Sequence, residues 1–515
     1  MSTPLPRPYQ AQAVVQATER GSLLLAMTMG SGKTRVAVDF VEGLWCNHQV
    51  VGGCVFVLNS TKYQWEREIN LWAPGASVQV IDGDRRTRYK QYKQAHSYRY
   101  TILNYDLLVH DWGMMAEHLP IDFVIIDEAT AIKSFRAKRS KMIKTLGDAA
   151  AYRLALSGQP VENKPEELFS IMEFVDPKVL GPFYRFDRTF IKRDTWGKPI
   201  KYMNLPLLRK SLSEAMFRRT RKDIEQYLPK MVTLETPVRL DSWSQKLYDH
   251  IVDDLLMVID EAMAAGMSGF DVMAHYGRAD SHADNRFKGE VMSRITALRM
   301  LCDHPQLLRK SAEDFDDPDS PMGSQYAATV LKGASVPTAS NKLDALMEQV
   351  KEILTESDDH KVVIFSGFKA MLAMMSYELK ERKVGHTLIS GDVVSKLRDE
   401  RIVKFNTDDR CRVFLSSDAG AYGVNLNAGS HLISYDLPWS AGGYAQRMAR
   451  IDRISSLHDN IYINSMFGRD TIEARQLEML RQKQLIGAAF LDGQYDPKGT
   501  LNLDLSSLRE FLVGT

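Results

Sequence analysis

SLLLAMTMGSGKTRVAVDFVEGL, Ser22 to Leu44, joins an apolar run of strand length, a glycine-bearing turn and a segment whose apolar residues recur at helical spacing. A strand running through Met29, Gly30, Ser31, Gly32, Lys33 and Thr34 into a helix is the setting of a phosphate-binding loop. Gly30 and Gly32 let the backbone curl so that N–H groups and the helix N-terminus face an anion. Lys33 brings a point charge to the β and γ phosphates, and Thr34 a hydroxyl for Mg2+. The first glycine of the full pattern is absent, Met27 standing in its place, so Gly-Ser-Gly-Lys-Thr alone is also compatible with an ordinary loop.

The same texture extends outward from this stretch. GCVFVL (Gly53 to Leu58), YTILN (Tyr100 to Asn104), DFVIID (Asp122 to Asp127) and RLALS (Arg153 to Ser157) are continuous apolar runs separated by helix-length segments. A second block repeats the pattern with KVVIFS (Lys361 to Ser366), HTLIS (His386 to Ser390), RVFLSS (Arg412 to Ser417), HLISYD (His431 to Asp436) and NIYINSMF (Asn460 to Phe467). Strands apolar on both sides belong to parallel sheets covered by helices on both faces. The expected fold class is therefore α/β, with two doubly wound parallel-sheet lobes.

Between the blocks, PEELFSIMEFVDP, SQKLYDHIVDDLLMVIDEAM and SRITALRMLCDHPQLL are periodic as helices, and VTLETPVRL (Val232 to Leu240) alternates as a strand. An acidic run with prolines and small residues follows. The expected organisation is residues 1–165 as lobe 1, 166–231 as its helical insertion, 232–312 as a second helical region, 313–341 as a linker or mobile loop, 342–470 as lobe 2 and 471–515 as a brace-like helix and tail.

At roughly 150 residues per domain, 515 residues make about three units, enough for more than one sizeable core. The 44% hydrophobic and 25% charged composition excludes a largely disordered or fibrous chain. No run approaches the roughly 18 to 20 apolar residues of a membrane span, and no signal peptide is visible. Cys46, Cys54, Cys302 and Cys411 are scattered without Cys-x-x-Cys spacing, so a reducing compartment and no zinc are expected. With 66 basic against 65 acidic side chains, any polyanion site must be a local patch.

DFVIIDEAT supplies a second half to the phosphate loop. Asp127 at a strand tip can hold Mg2+ and Glu128 can polarise the attacking water, the bland alternative being an acidic pair at a helix start. Arg7 and Gln10, in RPYQ, precede a helix, and the Gln10 amide can read an adenine edge or simply lie on the surface. In QRMARIDRI (Gln446 to Ile454), Arg450 and Arg453 share a face if the segment is helical. They then either stabilise a transferred phosphoryl group or make a surface ion-pair cluster with Asp452. Lys133, Arg136, Lys138, Arg139, Lys141 and Lys144 form a stretch without acidic residues, suited to DNA phosphates or to a solvated helix. Arg218, Arg219, Arg221 and Lys222 can contact nucleic acid or fold back onto the nucleotide site.

The order of these segments resembles the Swi/Snf-related ATPases, helicase-like double-stranded DNA translocases of superfamily 2, over nearly the whole chain. VLNSTKYQWEREINLW, with Trp65 and Trp72, TILNYDLL, DEATAIKS and RLALSGQPVEN follow the family's order. FRRTRKDIEQYLPK, LRMLCDHPQLL, SSDAGAYGVNLNAGSHLISYDLPWS and QRMARIDRISS are similar to its more specific segments. The resemblance implies RecA-like lobes with helical insertions and ATP with Mg2+ bound between the lobes. It also implies Arg450 and Arg453 as arginine fingers, and Arg7, Gln10, Met29 to Thr34, Gly423 and Gln446 around the nucleotide. Asn104 and Tyr105, Ser157 and Gln159, and Ser416 with Asn425 match positions that line the cleft or touch the sugar-phosphate backbone. Met27 and Thr28 stand where the family has an acidic pair, Thr130 and Asp452 where it has histidines, Gln159 where it has threonine, and Ser455 and Ser456 where it has Gly-Gln.

The function implied is ATP hydrolysis driving movement along double-stranded DNA without obligatory strand separation. Two alternatives stand beside it: a strand-separating or fork-remodelling helicase, and a nucleotide-dependent switch subunit with little turnover. After TIEARQLEMLRQKQ (Thr471 to Gln484) only about 30 residues remain, so a minimal motor is expected, suited to a bacterial or viral setting or to a subunit whose targeting comes from a protein partner. The expected location is the cytoplasm of a bacterial or virus-infected cell, or the nucleus in a eukaryote.

Overall fold

The computed structural model describes residues 4–161, 166–193, 199–264, 285–317, 323–393, 395–420 and 423–491, with Arg509 and Leu512. Pro165 of PEELFSIMEFVDP, Ala421 and Tyr422 of the fifth-motif stretch, and most of the tail lie outside these residues. The chain divides into two compact units, one of residues 1–228 with 483–500, the other of 229–482 with 501–515.

Unit 1 is built on a seven-stranded sheet in the order β3-β4-β2-β5-β6-β1-β9. Its strands are β1 (Ser22–Met27), β2 (Gly53–Val57), β3 (Val78–Val80), β4 (Tyr100–Asn104), β5 (Phe123–Ile126), β6 (Tyr152–Ser157) and β9 (Met216–Arg219). Every pairing in it is parallel. β7 (Ile191–Arg193) and β8 (Pro199–Tyr202) make a separate antiparallel ribbon. All six residues of β1 are buried and all five of β2, as continuous apolar runs require when helices cover both faces.

Unit 2 carries six parallel strands in the order β10-β15-β14-β11-β13-β12. They are β10 (Lys230–Val238), β11 (Val362–Phe365), β12 (His386–Ile389), β13 (Val413–Ser416), β14 (His431–Ser434) and β15 (Asn460–Gly468). The two-lobed, doubly wound α/β class is therefore present.

Three expectations are corrected. The segment 166–231 is not only helical: β9 inserts beside β1, Leu24 facing Met216 and Met27 facing Arg219, which gives the backbone of β1 partners on both sides. β10, at the head of the second helical region, joins the unit 2 sheet along all of β15. The stretch 313–341 is not a bare linker among the described residues. The helix Pro305–Asp316 runs into it, the helix Gln325–Val330 buries Ala327, and Gln306 Nε2 donates to the carbonyls of Val336 and Pro337. Pro337, the described proline of the stretch, is held by that side chain rather than left in open chain.

Unit 2 is tied together by a buried ionic cluster. Lys342, 1% exposed, donates through Nζ to Asp303 Oδ1 and to both Glu473 oxygens, each at 2.8 Å, with the Tyr435 ring 4.7 Å away. Burial alone would drive the proton off Lys342, but the two carboxylates outweigh it and hold the ammonium charged. Asp303 ends the helix Asn285–Asp303, Lys342 opens the helix Asn341–Glu356, and Glu473 opens the helix Ile472–Leu491. Lys342→Met leaves two carboxylates buried without their cation and should cost about 3 to 5 kcal/mol. Urea unfolding checks this against Lys351→Met, which removes an exposed pair with Glu348 and should cost under about 1 kcal/mol.

Candidate nucleotide site

In a parallel sheet all strand ends of one sense lie along one edge, and β5, β6 and β1 are consecutive neighbours there. Their C-terminal ends deliver the Asp127–Glu128 pair, the Ser157–Gly158–Gln159 turn and the phosphate loop to one place. Gly30 and Gly32 take positive φ values of 73° and 80°, which glycine adopts freely. The helix Lys33–Cys46 starts with Gly32 as its N-cap and no side-chain cap, leaving its first N–H groups for an anion. Lys33 Nζ lies 3.0 Å from the carbonyl of Met27 and 3.2 Å from that of Thr28.

The N-terminal segment braces this loop. Tyr9 and Gln10 both donate to the carbonyl of Ser31, at 2.7 and 3.1 Å, and Gln10 Oε1 accepts from the N–H of Arg7. Gln10 is thus a buried support of the loop, with its amide already engaged. A Cβ on Gly32 would come within 2.5 Å of Gln10 Nε2 and displace that amide, and the positive φ there favours glycine independently. Arg7 lies over the Tyr227 ring at 4.5 Å, and that ring is 5.7 Å from Tyr9. The segment Arg218 to Lys222 folds back to this site, since Arg219 accepts at its carbonyl from Thr28 N–H and donates to Gln12 Oε1.

Asp127 Oδ2 accepts from the indole N–H of Trp65 at 2.8 Å, and Oδ1 from the N–H of Glu128 at 2.9 Å. Loss of water pushes the Asp127 carboxyl up from its ordinary value, while Trp65, the Lys33 charge and the Glu128 N–H pull it down. Thr34 and Asp127 are hard oxygen donors beside a phosphate loop, a set that suits Mg2+. Glu128 adopts φ 47° and ψ 61°, a left-handed conformation uncommon outside glycine. Gly158 touches the loop directly: a Cβ there would meet Met29 Cγ at 2.5 Å.

Unit 2 brings its two arginines together by a route other than the expected one. The helix Ala441–Met448 stops before them, so they do not share a helical face. Arg450 and Arg453 instead converge on the carbonyl of Val424, at 3.3 and 3.0 Å, and Arg453 also donates to the Ala449 carbonyl. Gly423, with φ 74°, and Asn425 flank that carbonyl, and Gln446 lies on the helix just before the arginines.

Among the expected DNA contacts, Ser157 and Ser416 are 1% and 0% exposed, and their hydroxyls bond to Gln159 N–H and the Ser417 carbonyl. Burial removes both from a contact surface. Lys133 pairs with Glu167 and Arg139 with Asp106, while Lys144 is tied to Glu173 and Ser170. Arg136, Lys138 and Lys141 are exposed on the same stretch. Asn104 binds Asn59 through its side chain at 3.2 Å. Sequence reasoning passed over the roles of Trp65, Tyr9 and Tyr227, whose only signal was an aromatic with a polar or π handle near each motif.

Two doubly wound units, one with a phosphate loop and strand-tip carboxylates and the other with two arginines on one carbonyl, define a helicase-like, nucleotide-dependent ATPase. The chain belongs to the SNF2-related family: residues 9–307 match the SNF2-related domain, and residues 341–455 the helicase conserved C-terminal domain. It is 24% identical to the ATP-dependent helicase brm of Drosophila melanogaster over 490 residues, which is 93% of this chain and 28% of that protein. To chromodomain-helicase-DNA-binding protein 1 of Gallus gallus it is 26% identical over 479 residues, 90% of this chain and 25% of that one. The chain thus spans about a quarter of the length of these relatives. A similar solved structure is the Sulfolobus solfataricus SWI2/SNF2 ATPase core in complex with dsDNA, at 24% identity and TM-score 0.43, covering 96% of this chain and 94% of that one.

The packing of Gly158 against Met29 yields a reversible perturbation. Gly158→Ala should push Met29 and the loop aside and weaken binding of a fluorescent ATP analogue by about 5- to 30-fold, an overpacking cost of about 1 to 2 kcal/mol. Adding Met29→Ala makes room and should restore most of the affinity; equally weak binding in the single and double variants would contradict this geometry.

Proposed function

We propose that this chain is an ATP-dependent translocase on double-stranded DNA. The observation that carries the reading is the meeting of the phosphate loop after β1 and the Asp127–Glu128 pair after β5 at one edge of the sheet, on either side of β6. The loop N–H groups and Lys33 bind the phosphates of ATP, and the phosphates replace the Met27 and Thr28 carbonyls as partners of Lys33. Thr34 and Asp127 would hold Mg2+, which would supply positive charge to offset that of the phosphates. Glu128 orients the attacking water and accepts its proton. Arg450 and Arg453 stabilise the charge that develops on the transferred phosphoryl group, a role worth about 10³ to 10⁵ in rate where one such arginine has been measured.

The DNA side of the reading rests on family membership and on a local cation patch. Arg136, Lys138 and Lys141 are exposed directly after the carboxylate pair, in a stretch without acidic residues. Phosphate binding without base reading suits a motor, which must hold every sequence it passes. Targeting by a protein partner is part of the same proposal.

Steady-state ATP hydrolysis without nucleic acid, with duplex DNA, with single-stranded DNA and with RNA tests the reading, with Glu128→Gln as control. Strong stimulation by duplex, abolished in the control, is the expected result, and a labelled-duplex assay should show no strand release. Hydrolysis at the control level under every condition would overturn the motor reading for this chain. Replacing Arg136, Lys138 and Lys141 together by alanine should weaken duplex binding on every sequence alike. The slope of log affinity against log salt should flatten by about 0.9 for each DNA phosphate that the variant no longer neutralises.

A further inference from the structure

Asp127 and Glu128 are held by two aromatic side chains from elsewhere in unit 1. Trp65, 2% exposed, lies on the helix Lys62–Trp72 that follows β2, and its indole N–H meets Asp127 Oδ2. Tyr105, also 2% exposed, comes directly after β4, and its hydroxyl donates to the Asp127 carbonyl at 2.5 Å. Burial and the nearby carboxylates Asp127 and Glu128 push the Tyr105 phenol well above its ordinary value, so it remains a donor.

These bonds act on one peptide unit. The Asp127–Glu128 peptide is pinned at its carbonyl by Tyr105 and at its N–H by Asp127 Oδ1, while Trp65 takes the other carboxylate oxygen. Glu128 is left-handed, a conformation that costs a residue with a Cβ about 1 to 2 kcal/mol and persists where neighbours enforce it. The pinned peptide on its N-terminal side and the Ala131 N–H on its carbonyl together supply that enforcement. An indole N–H on one oxygen also fixes the carboxylate plane, leaving its remaining lone pairs in a set direction. Mg2+ demands near-ideal octahedral geometry, so it is sensitive to that direction.

We propose that Trp65 and Tyr105 are positioning residues for hydrolysis: Trp65 aims the Asp127 carboxylate at the metal, and Tyr105 holds Glu128 in the conformation that faces the water. This rests on the assignment of Asp127 and Glu128 made above. Partners that orient a metal ligand from behind typically change metal affinity or activity by about 10- to 100-fold when removed.

The test uses the full chain with Trp65→Phe, Trp65→His and Tyr105→Phe. Mn2+ binding to the ADP complex is followed by electron paramagnetic resonance of free Mn2+, and binding of fluorescent ADP is measured in EDTA. Trp65→Phe should weaken Mn2+ binding about tenfold while leaving metal-free nucleotide affinity unchanged. Trp65→His retains a ring N–H and should recover most of that affinity; if histidine does no better than phenylalanine, Trp65 only fills space and the proposal fails. Tyr105→Phe should lower kcat about tenfold at unchanged KM for ATP, and an unchanged kcat would overturn its part. Asp127→Asn separates the two levels. If that variant binds Mn2+ as tightly as the unaltered chain, the assignment of Asp127 itself is wrong.

Discussion

The parallel register around β1 is the constraint on which the rest of unit 1 depends. β1 is buried along its whole length and pairs on one side with β6 and on the other with β9. A strand in that position has no freedom to slide, because a one-residue slip would turn its side chains to the opposite face and break two ladders. The phosphate loop therefore starts at a fixed height. β6 fixes the height of the Ser157 turn, and β5 beyond it that of Asp127. Nothing in the loop must find the carboxylates; the ladder has already placed them.

Unit 2 solves a different problem, holding helices and loops around its sheet with buried charge. Besides the Lys342 cluster, Arg447 bridges Asp418 at 2.6 Å and Asp436 at 3.1 Å. Burial alone would raise the Asp436 carboxyl, but the Arg447 and Arg299 charges and the Ser366 hydroxyl hold it below its ordinary value. Such pairs add little net stability compared with apolar residues of similar shape, yet removing one member is costly because the other stays buried. Their effect is directional. Arg447 sits on the short helix just before Arg450, and its bonds orient the turn that carries both arginines to the carbonyl of Val424.

How much of this was legible follows from where the information lies. Long buried strands announce themselves, since every residue must be apolar, and so β1, β2, β4, β5 and β6 stand out in the sequence. β9 does not: MFRR is half basic, because its last two residues end at the site edge and are only partly buried. β3 is too short to show a period. In the site, Lys33, Asp127 and Glu128 are legible because contiguous motifs carry them. Gln10 on Ser31, Trp65 on Asp127 and Tyr105 on the Asp127 carbonyl join residues far apart in the chain, and no local pattern encodes those pairings. The burial of Ser157 and Ser416 is likewise set by neighbouring strands, and the sharing of Val424 by two arginines depends on a turn that their three-residue spacing does not reveal.

Several departures from the family pattern fall where the main chain makes the bonds, whereas Ser456 bonds to His458 through its hydroxyl. Met27 and Thr28 replace an acidic pair, but at these positions the main chain makes the bonds: both carbonyls accept from Lys33, and the Thr28 N–H donates to Arg219. Gln159 stands where the family has threonine, and its N–H, not its side chain, bonds to Ser157 Oγ. Asp452, in place of histidine, is buried and donates its N–H to the Met448 carbonyl, closing the turn that positions the arginines. At Met27, Thr28 and Gln159 the backbone makes the bonds described, so a change of side chain leaves those bonds in place. The roles proposed for Lys33, Asp127 and Glu128 need charge and side-chain oxygen, which no backbone group can supply, and at these positions the chain keeps the motif's residue types.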